Sequence, residues 1–355
     1  MQPRDLSSHS VYRAGRGIEE VARELGVTPD ELVTLSSNEN PLGPNPAAVD
    51  AIEAGATEIN DYPKAAHTDL REAIASHWNV EFEQIWLANG GDGALDYLAR
   101  AFIDPGDRVL VPDPGFAYYP MSARYHHATV ATYSLDRNRD FEQTASTVLD
   151  AYDGERIIYL TSPHNPTGSE LSHAELSTIA EQTDERTLLL VDEAYASFTE
   201  APSAIELLER RDDIAVLRTF SKDHGLAGLR LGYLVAPAGW ADAYSKVTTP
   251  FAASLLACRA GLAALDDQRH VERTVDLARW SRSYMHDHLE AQTFESGGNF
   301  VLAAVGDGSA VAQECKERGV IIRDCTSFGL EDCVRITCGT ELETKRVVDV
   351  LNDIV

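Results

Sequence analysis

Lys222 stands just past an apolar run in the segment Thr219-Phe220-Ser221-Lys222-Asp223-His224-Gly225-Leu226-Ala227-Gly228-Leu229-Arg230. A lysine at the end of a buried strand, stripped of water, can serve as a neutral amine nucleophile. Taken singly, it is more often an exposed residue that ends a strand. Arg230, eight residues later, carries a planar fork suited to a phosphate. Thirty residues before Lys222, Asp192 emerges from the apolar run Leu188 to Val191 in Val191-Asp192-Glu193-Ala194-Tyr195. A carboxylate leaving a buried strand is costly without a cation or a ligand beside it. Another 27 residues back lies Asn165, in Ser162-Pro163-His164-Asn165-Pro166-Thr167-Gly168. The prolines and glycine fix a turn there, and Asn165 offers both a donor and an acceptor. A fourth segment, Asn89-Gly90-Gly91-Asp92-Gly93, bridges a strand and a helix expected to start at Ala94. Its glycines allow backbone N–H groups to approach an anion, although a plain tight turn explains them equally well. It has neither the Lys-Ser/Thr ending of a nucleotide P-loop nor the spacing of a dinucleotide fingerprint.

The elements around these segments explain how they could meet. Helical spacing covers residues 18–25, closed by Gly26, and residues 68–78, while 36–46 reads as loop because of its three prolines. Strands are expected at 85–88, 108–111, 128–133, 156–161, 187–191, 214–219 and 231–235, with helices between most of them. Such alternation implies an α/β fold, a mostly parallel sheet flanked by helices, and ligands in such sheets sit beyond the carboxyl ends of the strands. From about 252 the character changes. A long helical stretch to 291 precedes short strands at 299–303, 320–323 and 333–337 and a last helix at 341–354, as in a smaller α+β C-terminal domain. The expected organisation is an N-terminal arm and helix over 1–35 packing on the small domain, a large domain over 36–250, and the small domain over 251–355.

Composition narrows the setting. The chain has 355 residues, with 57 acidic against 30 basic residues and a net charge of -27. Only five of the basic residues are lysines, which leaves 25 arginines, and the acids are spread along the chain. A dispersed acidic surface suits a protein that works where salt screens self-repulsion, so a halophilic source is favoured over an ordinary acidic enzyme. No basic stripe exists for nucleic acid. No apolar run approaches a membrane span, and the first ten residues lack a signal peptide's apolar core, so a cytoplasmic protein is expected. The five cysteines lack metal or disulfide spacing and are read as reduced, mostly buried thiols.

The order and spacing of the four segments resemble the fold-type I pyridoxal-phosphate aminotransferases over nearly the whole chain. The ends of the chain resemble the histidinol-phosphate aminotransferases in particular. These are Tyr12 and Gly15 ahead of Ile18-Glu19-Glu20-Val21-Ala22, Ser37-Asn38-Glu39-Asn40-Pro41-Leu42-Gly43-Pro44, Val320-Ile321-Ile322-Arg323-Asp324, and Val334-Arg335-Ile336-Thr337-Cys338-Gly339-Thr340. The resemblance implies a role for each residue. Lys222 would carry pyridoxal 5'-phosphate as a Schiff base and shuttle the substrate's proton. Asp192 would pair with the ring nitrogen, Asn165 and Tyr195 with the ring's phenolic oxygen, and Phe116 would stack on the ring. The backbone of Gly91, Asp92 and Gly93, with Thr219, Ser221 and Arg230, would hold the cofactor phosphate. Tyr62 would reach that phosphate from the neighbouring subunit, which implies a homodimer with a shared active site. Arg335, assisted by Arg323, Tyr12 and Asn165, would grip the phosphate of histidinol phosphate and then the carboxylate of 2-oxoglutarate.

Threonine-phosphate decarboxylases and aromatic amino-acid aminotransferases are the nearest rivals on the same fold. A pyridoxal-phosphate-binding regulator without turnover is the rival from another class, and 355 residues leave no room for its DNA-binding module. One departure stands out: Asp223 and His224 occupy positions where the family has a small residue and then an aromatic or aliphatic one. Asp223 is expected to raise the pKa of Lys222, to disturb the packing beside it, or to be a tolerated surface acid. After borohydride reduction, the cofactor should map to the tryptic peptide containing Lys222. Label on Lys64 or Lys246 would refute the assignment.

Overall fold

The computed structural model describes every residue except 3, 4, 8, 10 and 13–16, so Gly15 lies outside the described residues. Two sheets organise the chain. The N-terminal part gives α1 (Ile18–Leu25), β1 (Val33–Leu35), α2 (Pro46–Gly55) and α3 (Thr68–Trp78). Next come β2 (Ile85–Asn89), α4 (Gly90–Phe102), β3 (Arg108–Asp113), α5 (Tyr118–Tyr125), β4 (Thr129–Ser134), α6 (Ala145–Leu149) and β5 (Ile157–Thr161). Then follow α7 (His173–Gln182), β6 (Leu188–Asp192), β7 (Ile214–Thr219), β8 (Leu231–Val235) and α8 (Ala241–Val247). The chain ends with α9 (Leu255–Asp266), α10 (Gln268–His288), β9 (Gln292–Phe294), β10 (Phe300–Ala304), α11 (Gly308–Glu317), β11 (Val320–Asp324), β12 (Cys333–Thr337) and α12 (Glu341–Asn352).

The larger sheet has the order β2-β8-β7-β6-β5-β3-β4, and β8 alone runs antiparallel to its neighbours. Its central strands are apolar almost throughout because helices cover both faces. In β6, Leu189 and Val191 enter one core while Leu188 and Leu190 enter the other. Strand β5 divides the same way, with Ile158 and Leu160 on one side and Ile157 and Tyr159 on the other. Each such leucine, fully buried, contributes roughly 1.5–3 kcal/mol. The parallel register brings Thr161 opposite Asp192, while Thr219 of β7 faces Gly232 of β8. The carboxyl ends of β5, β6 and β7 therefore open on one edge of the sheet.

The smaller sheet, β1-β11-β12-β10-β9, recruits a strand from the N-terminal segment: β1 pairs in parallel with β11. Neither β1 nor β9 is visible as a strand from sequence, because three residues carry too little periodicity. Helix α1 packs through Val21 and Ala22 against Ile321 of β11. Helix α2 is likewise unanticipated; Pro46 begins it and the Asn45 side chain caps it by accepting from the Ala48 amide at 3.3 Å. The expected helical stretch 252–291 is broken at Asp267 and ends at His288, giving α9 and α10. Helix α9 packs against α2 and α3, and its Ala257, Ala260 and Ala264 share a core with the larger sheet.

Helix α4 also differs from expectation. It starts at Gly90, not Ala94, so Gly-Gly-Asp-Gly forms its first turn instead of a preceding loop. The φ of +75° at Gly90 turns the chain directly out of β2, which removes the need for a linker. Gly232 permits this junction: a Cβ there would lie 2.7 Å from the Gly90 carbonyl carbon and 2.8 Å from the Gly91 nitrogen. Gly232→Ala should therefore push the start of α4 away and cost about 1–3 kcal/mol in denaturant unfolding. An unchanged midpoint would show that the contact yields freely.

Candidate active site

The N-terminus of α4 lacks a side-chain cap from Asn89, which leaves its first amides without the usual partner. Facing it is a polar cluster from the β7–β8 connection. Thr219 Oγ1 donates to Ser221 Oγ at 3.0 Å, and the Ser221 amide donates to Thr219 Oγ1 at 3.1 Å. Arg230, with φ +52°, extends its Nη2 to Asp92 Oδ2 at 3.1 Å. A side chain at Gly90 would collide with this guanidinium, its Cβ falling 2.5 Å from Nη2. Gly91, Asp92, Gly93, Thr219, Ser221 and Arg230 thus meet in one place, a positive helix end with an arginine beside it. Desolvation and neighbouring Asp96 hold the Asp92 carboxyl above its usual pKa, against the pull of Arg230 and Lys222.

Asp192 ends β6 and is buried. Its Oδ2 accepts from the Tyr119 hydroxyl at 2.6 Å and its Oδ1 from the Ala194 amide at 3.0 Å. Among the described residues, no cationic side chain forms an ion pair with it. Burial raises its pKa to about 6, with Asp92 and Glu193 adding to the rise and the two hydrogen bonds opposing it. Phe116 is half-buried, 5.4 Å edge-on from Tyr119 and 6.1 Å edge-on from Tyr12.

Lys222 is half-buried, and its Nζ donates to the Asn38 carbonyl at 3.2 Å and lies 5.4 Å from the Tyr195 ring centre. The Tyr195 hydroxyl accepts from Asn38 Nδ2 at 3.0 Å. Asn38 is itself fixed by Thr337 and Asn299, both from the small-sheet region. Arg335, on β12, is buried; Nη2 donates to the Ser36 carbonyl at 2.7 Å and Nη1 to Asn165 Oδ1. Its Nε is buried without a partner. Arg323 of β11 donates to Ser327 Oγ at 3.0 Å and faces Arg335 across the register. Tyr12 joins them electrostatically: desolvation raises its phenol, Asp92 adds to the rise, and Arg323 and Arg335 lower it.

Tyr62 lies elsewhere, 81% exposed, stacked on Phe251 at 4.6 Å. It contributes nothing to its own chain's cluster.

Asp223 corrects the sequence reading. It is buried, so it is no surface acid. Its Oδ2 accepts from Ser197 Oγ at 2.6 Å and its Oδ1 from the His224 amide at 3.1 Å. His224 and Arg218 hold its carboxyl below the usual range despite burial. The carboxylate is thus turned toward the Arg218 side while Lys222 Nζ points to Asn38, which separates the two adjacent side chains.

Two residues of the cluster went without a role in the sequence reading. Tyr119 directly follows the aromatic segment around Phe116, and Asn38 lies inside a segment quoted only for its resemblance. Adjacency to Phe116 was the available signal for the first; the second depends on a contact 157 residues away. All five cysteines are free thiols and four are buried. No helix among the described residues is long and apolar enough to cross a membrane.

Comparison with known proteins adds to this geometry. The family profile for aminotransferase class I and II matches residues 30–351. The chain is 64% identical to a histidinol-phosphate aminotransferase of Natronomonas pharaonis, covering 100% of both chains. It is also 64% identical to the histidinol-phosphate aminotransferase of Haloarcula marismortui, over 100% of this chain and 99% of that one. Both relatives come from halophilic archaea. Among solved structures, the histidinol-phosphate aminotransferase of Sinorhizobium meliloti in complex with pyridoxal-5'-phosphate superposes with a TM-score of 0.87 at 26% identity, covering 96% of this chain and 95% of that one.

The raised pKa of Asp192 has a measurable consequence. Between the unfolded value of 3.8 and the folded value of about 6, the folded chain binds more protons than the unfolded one. Stability contributed by this group is therefore greatest below pH 4 and falls as pH rises to about 6, by about 3 kcal/mol. In cofactor-free protein, the stability difference between wild type and Asp192→Asn should slope downward across that window. A flat difference would contradict the burial effect.

Proposed function

The chain belongs to the class I and II aminotransferase family, and on that premise we propose that it moves an amino group between L-histidinol phosphate and 2-oxoglutarate, giving imidazole-acetol phosphate and glutamate, in histidine biosynthesis. The reading rests chiefly on Arg335: a buried guanidinium whose Nε has no partner, beside Asn165, close to Tyr12 and across from Arg323. Such a cluster suits a substrate phosphate or carboxylate, both of which accept paired N–H donors.

The residues fit pyridoxal 5'-phosphate. The uncapped glycine-rich start of α4, with Thr219, Ser221 and Arg230, suits its phosphate, and the buried Asp192 carboxylate suits a protonated ring nitrogen. When bound, the cofactor supplies a carbonyl that captures amines and a ring that withdraws electrons from the neighbouring carbon. Lys222 Nζ would anchor the cofactor and, once released from it, would carry the proton to and from the substrate carbon. Asp192 would keep the proton on the ring nitrogen. Asn165 and Tyr195 would hydrogen-bond the ring's phenolic oxygen, and Phe116 would cover the ring face. Arg335, Arg323 and Tyr12 bind the substrate's anionic end and orient its amine toward Lys222.

The enzyme works as a homodimer in the cytoplasm, without nucleic-acid partners. The exposed Tyr62–Phe251 stack supports the dimer, since two aromatic rings left in water favour burial against another surface, and Tyr62 then reaches the neighbour's phosphate site. The net charge of -27 opposes contact with nucleic acid. The division of labour follows the proposed domains: 36–250 for the cofactor, and 251–355 with the 1–35 arm for the substrate's anionic end.

A half-reaction screen that follows the cofactor's visible band separates this reading from its rivals. Histidinol phosphate should exceed phenylalanine and unphosphorylated histidinol in kcat/KM by about two orders of magnitude or more, because a buried cationic site left without its anion is costly. A preference for phenylalanine would make the chain an aromatic aminotransferase. Carbon dioxide release from threonine phosphate would make it a decarboxylase.

A further inference from the structure

We infer that Tyr119 is a positioning residue for Asp192: its hydroxyl, oriented by Thr161, ties down one carboxylate oxygen so that the other is presented to the cofactor ring. The inference rests on the proposed pairing of Asp192 with that ring.

The hydrogen-bond inventory fixes the direction of the chain. Tyr119 Oη lies 2.6 Å from Asp192 Oδ2 and 2.9 Å from Thr161 Oγ1. An ionised carboxylate only accepts, so the single phenolic proton goes to Asp192, and the Thr161 hydroxyl donates to Tyr119. The order is Thr161 to Tyr119 to Asp192. Burial and the adjacent Asp192 charge push the Tyr119 phenol well above its usual pKa, so it stays a donor throughout the working range.

The three residues come from three places that the fold makes adjacent. Thr161 and Asp192 are register partners at the ends of β5 and β6, and Tyr119 lies in the first turn of α5. All three are buried, and Tyr119 is 1% exposed. On Oδ1 the only protein donor among the described residues is the Ala194 amide, on the same local loop. Without Tyr119 the carboxylate would keep a single short-range restraint and could rotate about its last torsion. A buried carboxylate that rotates cannot keep a ring nitrogen protonated in a fixed plane.

Tyr119 also packs, stacking on Tyr159 at 4.8 Å and meeting Phe116 edge-on at 5.4 Å. Tyr119→Phe keeps the ring and removes only the hydroxyl, which separates packing from hydrogen bonding. Hydrogen bonds to charged groups set the scale: cofactor affinity and kcat should each fall roughly ten- to a hundredfold, with KM for the amino donor little changed. In cofactor-free protein, the Asp192 carboxyl, read by 13C NMR as the difference from Asp192→Asn, should titrate about one unit higher. That readout needs neither cofactor nor substrate, so it stands even if the proposed substrate is wrong.

Thr161→Val supplies the second variant. It leaves Tyr119 in place but removes its donor, and should produce smaller changes of the same sign with an unaltered melting temperature. Should Tyr119→Phe fail to fold, those changes in Thr161→Val would still support the inference. Wild-type cofactor affinity and an unshifted carboxyl titration in the folded variants would overturn it.

Discussion

A carboxylate sits at the end of a strand that has no other reason to tolerate charge. Asp192 follows four buried aliphatic residues, between two helix-covered cores, with no cation in ion-pair range among the described residues. Such a group costs several kcal/mol unless something neutralises it. The surrounding structure supplies two hydrogen bonds but no charge. A buried carboxylate held in this way suits the protonated ring nitrogen of the proposed cofactor. The α4 N-terminus, Lys222, Phe116 and Asn165 all open on the same edge of the larger sheet.

The site also ties the two sheets together. Arg335 comes from the smaller sheet and holds Asn165, which follows β5 of the larger one, while also donating to the Ser36 carbonyl. Asn38 takes hydrogen bonds from Thr337 and Asn299 and gives one to Tyr195. Residues 36–38 thus act as a strap threaded between the sheets, with Lys222 Nζ donating to its carbonyls. A change in the spacing of the sheets would be felt at once by the groups proposed to bind substrate and by the lysine.

Asp223 illustrates how a local sequence rule can mislead. An acid next to a lysine in sequence suggests an interaction between them. On this turn the two side chains diverge, and a network through Ser197, Arg218 and Glu193 absorbs the carboxylate. Arg218 lies 4.8 Å from the Trp78 ring centre and pairs with Glu193 at 3.0 Å. A buried acid is tolerated because a buried base is already there.

The residues proposed for the site stand out in the sequence, because each is a polar or charged side chain beside an expected apolar strand. Lys222, Asp192, Asn165 and Arg230 stand out against short continuous apolar runs and glycine-rich turns, and the alternation of such runs with helical patterns gives the long strands and helices. The alternation of strands and helices also implied the parallel sheet. Short elements were not legible: β1 and β9 exist because a neighbouring strand pairs with them, not because three residues prefer that state. The same limit hid Tyr119 and Asn38, whose roles arise from hydrogen bonds spanning 73 and 157 residues. It also hid where Asp223 points, which depends on Arg218 across the fold. Sequence determined which chemical groups this protein carries and which strand ends bear them. Tertiary structure alone decided which groups share protons, because hydrogen bonds require angstrom-scale proximity that spacing along a chain does not encode.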